Sequence, residues 1–190
     1  EWGWDSLSVL GAFACGALLL VLFALSSRRH RSPLLDPALL RIRPFAVGNL
    51  ATIAAGMGFY AYLLNNILWL TEVWGYSTLK AGLALVPGAL VAAVVAAVLG
   101  PVAARRGYAL FVVPGALIWA GAYVWYATQV GLTPDFLGEW LPGQLLSGLG
   151  VGATLPLLGS AALAAVPGGR YATASAVVSS ARQIGGVLGI

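Results

Sequence analysis

Five stretches of this chain run without a single charged residue: 7–25, 45–70, 81–104, 108–128 and 141–166. Each is close to the ~20 apolar residues that an α-helix needs to cross the hydrocarbon core of a bilayer. A sixth begins at Tyr171 and is still apolar at Ile190, interrupted by Arg182. The pattern predicts an all-α, polytopic membrane helix bundle of about six transmembrane helices. Their expected extents are 7–26, 44–70, 79–104, 108–129, 137–166 and 171–190 or beyond, with a basic loop over 27–43.

Composition agrees: 60% of the 190 residues are hydrophobic and 8% are charged, against roughly 25% charged in a soluble domain. The net charge of +4 does not point to nucleic acid, because the basic residues sit between the apolar runs, where topology explains them. Cys15 stands alone inside the first run, so no internal disulfide and no thiolate metal site is expected. His30 lies in the basic loop with no second His or carboxylate placed to share a metal. Glu1 and Asp5 precede the first run where a leader would carry positive charge, so that run reads as a spanning helix. With no initiator Met and with the last run still open, the chain reads as a piece of a longer protein.

Loop charges set an expected orientation. Five of the ten basic residues fall between Arg28 and Arg43, Arg105 and Arg106 follow the third run, and Arg170 follows the fifth. Glu72, Asp135 and Glu139 mark the opposite ends, and Asp36 and Lys80 alone run against the pattern. The first, third and fifth loops are therefore expected in the cytoplasm and the chain in a cell membrane. Trp2, Trp4, Trp69, Trp74, Tyr76, Trp125, Tyr126 and Trp140 all fall at the ends assigned outside, the headgroup level that amphipathic rings prefer. The stretch Pro33 to Arg43 mixes leucine and arginine, as a segment lying on the inner surface would.

The last fifty residues carry the densest pattern. Gly148, Gly152 and Gly159 form a ridge without side chains, while Ser175, Ser179, Arg182, Gly186 and Gly189 recur at spacings of 4, 3, 4 and 3 and share one face. The two helices are expected to touch. A small, polar, charged face is a poor neighbour for lipid, so it is expected to look into protein or a watered cavity. On the second run Ala55, Phe59, Tyr62, Asn66 and Trp69 share a side, with Asn65 beside them. Pro87-Gly88, Pro114-Gly115, Pro142 and Pro156 are points where a helix can bend.

Taken together, these residues resemble the major facilitator superfamily, in particular its fourteen-helix drug/proton antiporter branch. The resemblance covers nearly the whole chain. It rests on the basic loop with Pro33-Leu-Leu and Arg-Pro-Phe at 43–45; on Val73-Trp-Gly-Tyr-Ser77 followed by Ala81-Gly-Leu-Ala-Leu-Val-Pro87; on Gly100 through Gly107; on Gly148-Leu-Gly-Val-Gly152 with Pro156; and on Ala174-Ser-Ala176 with Arg182-Gln-Ile-Gly-Gly186. It implies part of a major-facilitator fold, from the eighth helix through most of the thirteenth, with the remaining transmembrane helices as partners. Gly100 through Gly107 resembles the second copy of the family's loop motif Gly-x-x-x-Asp-Arg-x-Gly, with Ala104 at the Asp position. A charge relay through that Asp is thus not implied, whereas a clamping role for Arg105 is.

The function this resemblance implies is secondary active transport, specifically proton-antiport efflux of hydrophobic or amphipathic compounds by alternating access. The chain is expected to be no enzyme and to need no cofactor, the proton gradient supplying the energy. Its partners would be the bilayer and a small hydrophobic substrate. Candidates for the substrate cavity are Phe59, Tyr62, Asn65, Asn66, Gln144 and Arg182; candidates for gating are Pro87, Gly100, Arg105, Gly107, Gly148, Gly152, Pro156 and Gly186.

Blander readings stand beside these. Arg182 either faces the transport path or snorkels to the inner interface, and Tyr62 and Asn66 either line a cavity or bond across a helix contact. Gly148-x-Gly-x-x-Ala153 superficially fits a dinucleotide fingerprint, but no strand precedes it and no acidic residue follows it, so helix packing is favoured. A membrane enzyme would need a nucleophile or an acid/base set, and the acidic residues are scattered. They also supply no buried proton carrier. A non-transporting scaffold assembled through the glycine ridges, or an importer on the same frame, remains open.

Overall fold

A computed structural model describes residues 37–190 and, ahead of them, residues 11, 14–16, 18, 19, 21 and 22. Residues 1–38 and 39–190 form separate compact units. In the first unit the described residues up to 22 are helical. Most of the helix expected over 7–26, and the basic loop as far as residue 36, lie outside the described residues.

The second unit is built from five long helices: α1 (Arg43–Leu68), α2 (Thr78–Arg106), α3 (Ala109–Gln129), α4 (Leu141–Ala164) and α5 (Tyr171–Gly189). Among the described residues no strand occurs. One π-helical turn, Trp69–Val73, prolongs α1, and another, Phe136–Trp140, leads into α4. Each boundary has a local cause. Pro44 stands in the first turn of α1, where its missing N–H costs nothing. Ser77 caps α2 by accepting a 3.3 Å hydrogen bond from the Lys80 backbone N–H. Gly107 ends the same helix at φ +100°, a conformation that side-chain-bearing residues rarely adopt. Asp135 caps the second π turn by accepting from the Gly138 N–H at 2.8 Å.

Four segments are long and apolar enough to span a bilayer: Arg43–Val73, Thr78–Arg106, Ala109–Gln129 and Phe136–Ala164. With its serines, threonine, Arg182 and Gln183, α5 is more polar.

α4 lies at the centre, packed on α1, α2 and α3, while α5 packs mainly on α1. Glycines explain why α4 can take three neighbours. A methyl group on Gly148 would come within 2.5 Å of the Gly88 carbonyl oxygen on α2, and one on Gly152 would strike the Ala92 backbone one turn further along. Gly150 faces the other way, where a Cβ would stand 2.5 Å from the Cβ and the backbone nitrogen of Trp119 on α3. Bare backbone therefore meets α2 and α3 on two sides of one helix.

The expected union of the two glycine faces is corrected here. Gly159 does meet Val178, at 3.4 Å from an added Cβ, but Gly148 and Gly152 face α2. Gly186 faces the Tyr60 ring, and Gly189 faces the Met57 backbone, both on α1. Small-residue ridges specify close approach but not with which helix, and here each ridge found a different partner.

Two apolar clusters close the ends of the unit. At one end Leu39, Phe45, Ala162, Val166, Ala174 and Val178 are buried together. At the other, Leu70, Trp74, Ala81, Ala84 and Trp140 are buried, with the Trp74 and Trp140 rings 5.3 Å apart. The loop over this aromatic end is clasped. The Trp74 indole N–H donates to the Gly131 carbonyl at 2.9 Å, the Gly131 N–H donates to the Glu139 carboxylate at 2.7 Å, and the Trp125 indole donates to the Glu139 carbonyl at 2.8 Å.

Candidate functional site

Four helices, α1, α2, α4 and α5, enclose a groove of about 570 Å³. α1 contributes Gly56, Phe59 and Tyr60; α2 contributes Ala92, Ala93 and Ala96; α4 contributes Val151, Gly152, Leu155 and Pro156; α5 contributes Ser179, Arg182 and Gln183. The groove exists because its walls are small: alanines at i, i+1 and i+4 on α2 and a glycine on α4 leave room that larger side chains would fill. Into that space projects one charge. Arg182 is exposed and has no hydrogen-bond or salt-bridge partner among the described residues. Beside it, Phe59 and Tyr60 lie edge to face at 5.7 Å, and Phe59 continues to Trp119 at 6.3 Å.

Through Phe59, Ala92 and Val151 the groove adjoins a narrower crevice of about 270 Å³ that includes Tyr62, Gly88, Gln144, Ser147 and Gly148. Here the polar groups are buried. Gln144 is 2% exposed and presses its side chain onto the bare backbone of Gly88. Its amide nitrogen has no hydrogen-bond partner among the described residues. The Tyr62 hydroxyl lies 2.7 Å from Ser147 Oγ and 3.3 Å from the Tyr126 hydroxyl. A shallow extension along α5, lined by Thr52, Gly159, Ser160, Ser175 and Ser179, runs on from Arg182.

The six cavity candidates do not converge on one space. Phe59 and Arg182 share the groove, and Gln144 lies in the adjoining crevice. Asn65 and Asn66 line a different cavity at the aromatic end, of about 610 Å³, and Tyr62 borders both this and the crevice. Among the gating candidates, Gly152 and Pro156 line the groove, Gly148 lines the crevice, and Gly186 lies against Tyr60. Pro87 lies inside α2 next to Gly88. Gly100, Arg105 and Gly107 line none of these spaces; Arg105 and Gly107 are exposed, and a Cβ on Gly100 would meet nothing within 4 Å.

Helical spacing does not single out Tyr60, Ser147, Tyr126 or Gln183. Tyr60 and Gln183 carry a usable signal, since each follows a marked residue in sequence; Ser147 and Tyr126 carry none.

Among the described residues no three His, Cys, Asp or Glu side chains gather as metal ligands. The groove's walls are alkyl, aromatic and amide groups around a single guanidinium, a surface suited to holding and releasing an amphipathic solute. The chain is a member of the Major Facilitator Superfamily, which it matches over residues 1–190.

Among its relatives are the puromycin resistance protein pur8 of Streptomyces alboniger, 32% identical over 100% of this chain and 38% of that protein, and the cephamycin export protein CmcT of Amycolatopsis lactamdurans, 33% identical over 100% of this chain and 39% of that protein. The multidrug efflux pump LfrA of Mycolicibacterium smegmatis is 28% identical over 97% of this chain and 36% of its own length. The chain thus spans less than two-fifths of the length of these relatives.

Proposed function

We propose that this chain is part of a secondary active transporter that exports hydrophobic or amphipathic compounds across a cell membrane by alternating access, driven by proton antiport. The observation that carries the reading is the unpaired Arg182 in a groove walled by small and aromatic residues of four helices. A solute placed there loses water against Phe59 and Tyr60 and meets a planar guanidinium that can donate to a carbonyl, carboxylate or phosphate. The names of the relatives, which include resistance, export and multidrug efflux, support the outward direction.

Alternating access requires packed helices to move as bodies. The backbone-to-backbone contacts of α4 with α2, and of α5 with α1, suit sliding, because glycine contacts carry no interlocked side chains. We assign Pro87, Pro156, Gly148, Gly152 and Gly186 to this movement, and Arg105 with Gly100 and Gly107 to a clamp on the cytoplasmic side. The aromatic end faces outward in this arrangement. Among the described carboxylates Glu72 and Asp135 are exposed, and Glu139 is engaged by Gly131. We therefore place the proton carrier in other helices of the longer protein.

The test is transport by the full-length protein in inverted vesicles, with Arg182→Lys and Arg182→Ala beside the parent. Expected are uptake that stops when the proton gradient is dissipated and a loss of rate in both variants, smaller for lysine. Normal transport by both variants, or uptake indifferent to the gradient, would sink the proposal.

A further inference from the structure

We infer that the cavity at the aromatic end is a second binding site, for a neutral aromatic compound carrying a hydrogen-bond acceptor, and that Tyr62 is the residue it shares with the crevice beside the transport groove. This goes beyond the proposed function and does not depend on it. The cavity lies between α1 with its π turn, α3, and Trp140 of the π turn that leads into α4, and its volume of about 610 Å³ falls in the range of small-molecule sites. Tyr62, Trp69, Tyr123, Tyr126 and Trp140 supply its rings, and no charged side chain lines it. Such a wall favours stacking with a flat neutral ligand over capture of an ion.

Hydrogen-bonding capacity narrows the class. Asn66 Nδ2, Trp69 Nε1 and Trp140 Nε1 are buried and have no hydrogen-bond partner among the described residues, and Asn66 and Trp140 are 2% and 1% exposed. All three are donors on residues that line the cavity, so a ligand whose entry shifts these side chains would offer an acceptor to donors now unmet. Asn65, exposed and free of partners among the described residues, offers a further amide at the cavity. The backbone gives a separate indication. Trp69 opens one π-helical turn and Trp140 closes the other, so both walls of the cavity sit on the kind of helix irregularity that recurs at functional sites.

Tyr62 is the residue shared by the cavity and the crevice that lies beside the groove. Its ring is packed against Tyr123 at 5.6 Å and Tyr126 at 5.8 Å. The two spaces therefore differ in selection: Arg182 gives the groove a charge, whereas the aromatic cavity has none.

The experiment measures binding of a neutral methoxycoumarin, flat and with a lactone carbonyl, to the full-length protein in lipid nanodiscs. Ala61→Trp, which fills the cavity from an exposed position, is expected to weaken binding by about tenfold or more, and Asn65→Ala by about two- to tenfold. Gly82→Ala, on α2 where a Cβ would meet nothing within 4 Å and outside every cavity described above, should leave it unchanged. Asn65→Ala trims an exposed side chain and keeps the test readable where Ala61→Trp impairs folding. Wild-type affinity in both cavity variants would overturn the proposal, as would equal loss in Gly82→Ala. So would an Asn65→Cys thiol that water-soluble reagents never reach, since another segment would then fill the space. The readout is binding, so a failure of the Arg182 transport test leaves this result to stand or fall by itself.

Discussion

The Tyr62 hydroxyl lies 2.7 Å from Ser147 Oγ, joining α1 to α4 at the boundary between the two cavities. The direction of this bond follows from its neighbours. Ser147 donates its one hydroxyl hydrogen to the Gln144 carbonyl at 3.0 Å, so its oxygen is left to accept from Tyr62. The Tyr62 oxygen in turn can accept from Tyr126, 3.3 Å away. A directional chain thus runs from α3 through α1 into α4, fully buried at its centre.

Two cuts in the chain have unequal consequences. Tyr62→Phe removes the donor to Ser147, which keeps its bond to Gln144, and the acceptor for the half-buried Tyr126, and should cost about 1 kcal/mol of unfolding free energy. Ser147→Ala strands a buried tyrosine hydroxyl and should cost more, about 1–3 kcal/mol. Thermal unfolding of the two variants in detergent compares them. A Ser147→Ala variant no less stable than Tyr62→Phe would show that the hydroxyl finds another acceptor.

Glycines in α4 and α2 that look alike in sequence should respond oppositely to alanine. At Gly150 the added methyl meets backbone and Cβ atoms of Trp119 that cannot rotate away, an overpacking cost of about 1–3 kcal/mol or more. At Gly82 a Cβ would meet nothing within 4 Å, so Gly82→Ala should be neutral or stabilising by up to about 1 kcal/mol through helix propensity. Yields of folded monomer and melting temperatures decide between them.

Arg182 should separate stability from function. It is exposed and makes no hydrogen bond or ion pair among the described residues, so Arg182→Ala should change unfolding free energy by less than about 0.5 kcal/mol. Transport should fall nonetheless. A variant that lost both together would show that the guanidinium holds the bundle together.

The loop over the aromatic end depends on one carboxylate. Glu139→Ala removes the acceptor for the Gly131 N–H, a charge-assisted bond worth about 1.5–3 kcal/mol. Hydrogen exchange at residues 130–135 should rise clearly in Glu139→Ala and less in Glu139→Gln, which keeps an acceptor oxygen. Equal exchange in all three proteins would mean that the Trp74 and Trp125 indole bonds hold the loop unaided.

Much of the fold was legible because the governing forces are local. Uncharged runs near bilayer length predict spanning helices wherever they occur, and Gly107 at φ +100° and the Ser77 cap act within a few residues. The site was legible only in pieces. Phe59 and Arg182 could be marked, since an aromatic and a cation in an apolar run stand out, but Ser147 and Tyr126 matter only for what they face across helices.

By itself, then, the sequence determined that this is a helical membrane chain, because hydropathy, charge and cap chemistry are read along the backbone, while its resemblance to the major facilitator family rested on the order and spacing of its motifs. Tertiary structure alone decided which helix each glycine ridge meets. It also decided that Phe59 and Tyr62, three residues apart on α1, share the crevice while only Phe59 reaches the groove and only Tyr62 the aromatic cavity. Three residues turn a helix by about 300°, leaving their side chains about 60° apart. Whether that angle separates two spaces depends on where the neighbouring helices lie, and small residues permit close approach by any neighbour without naming one.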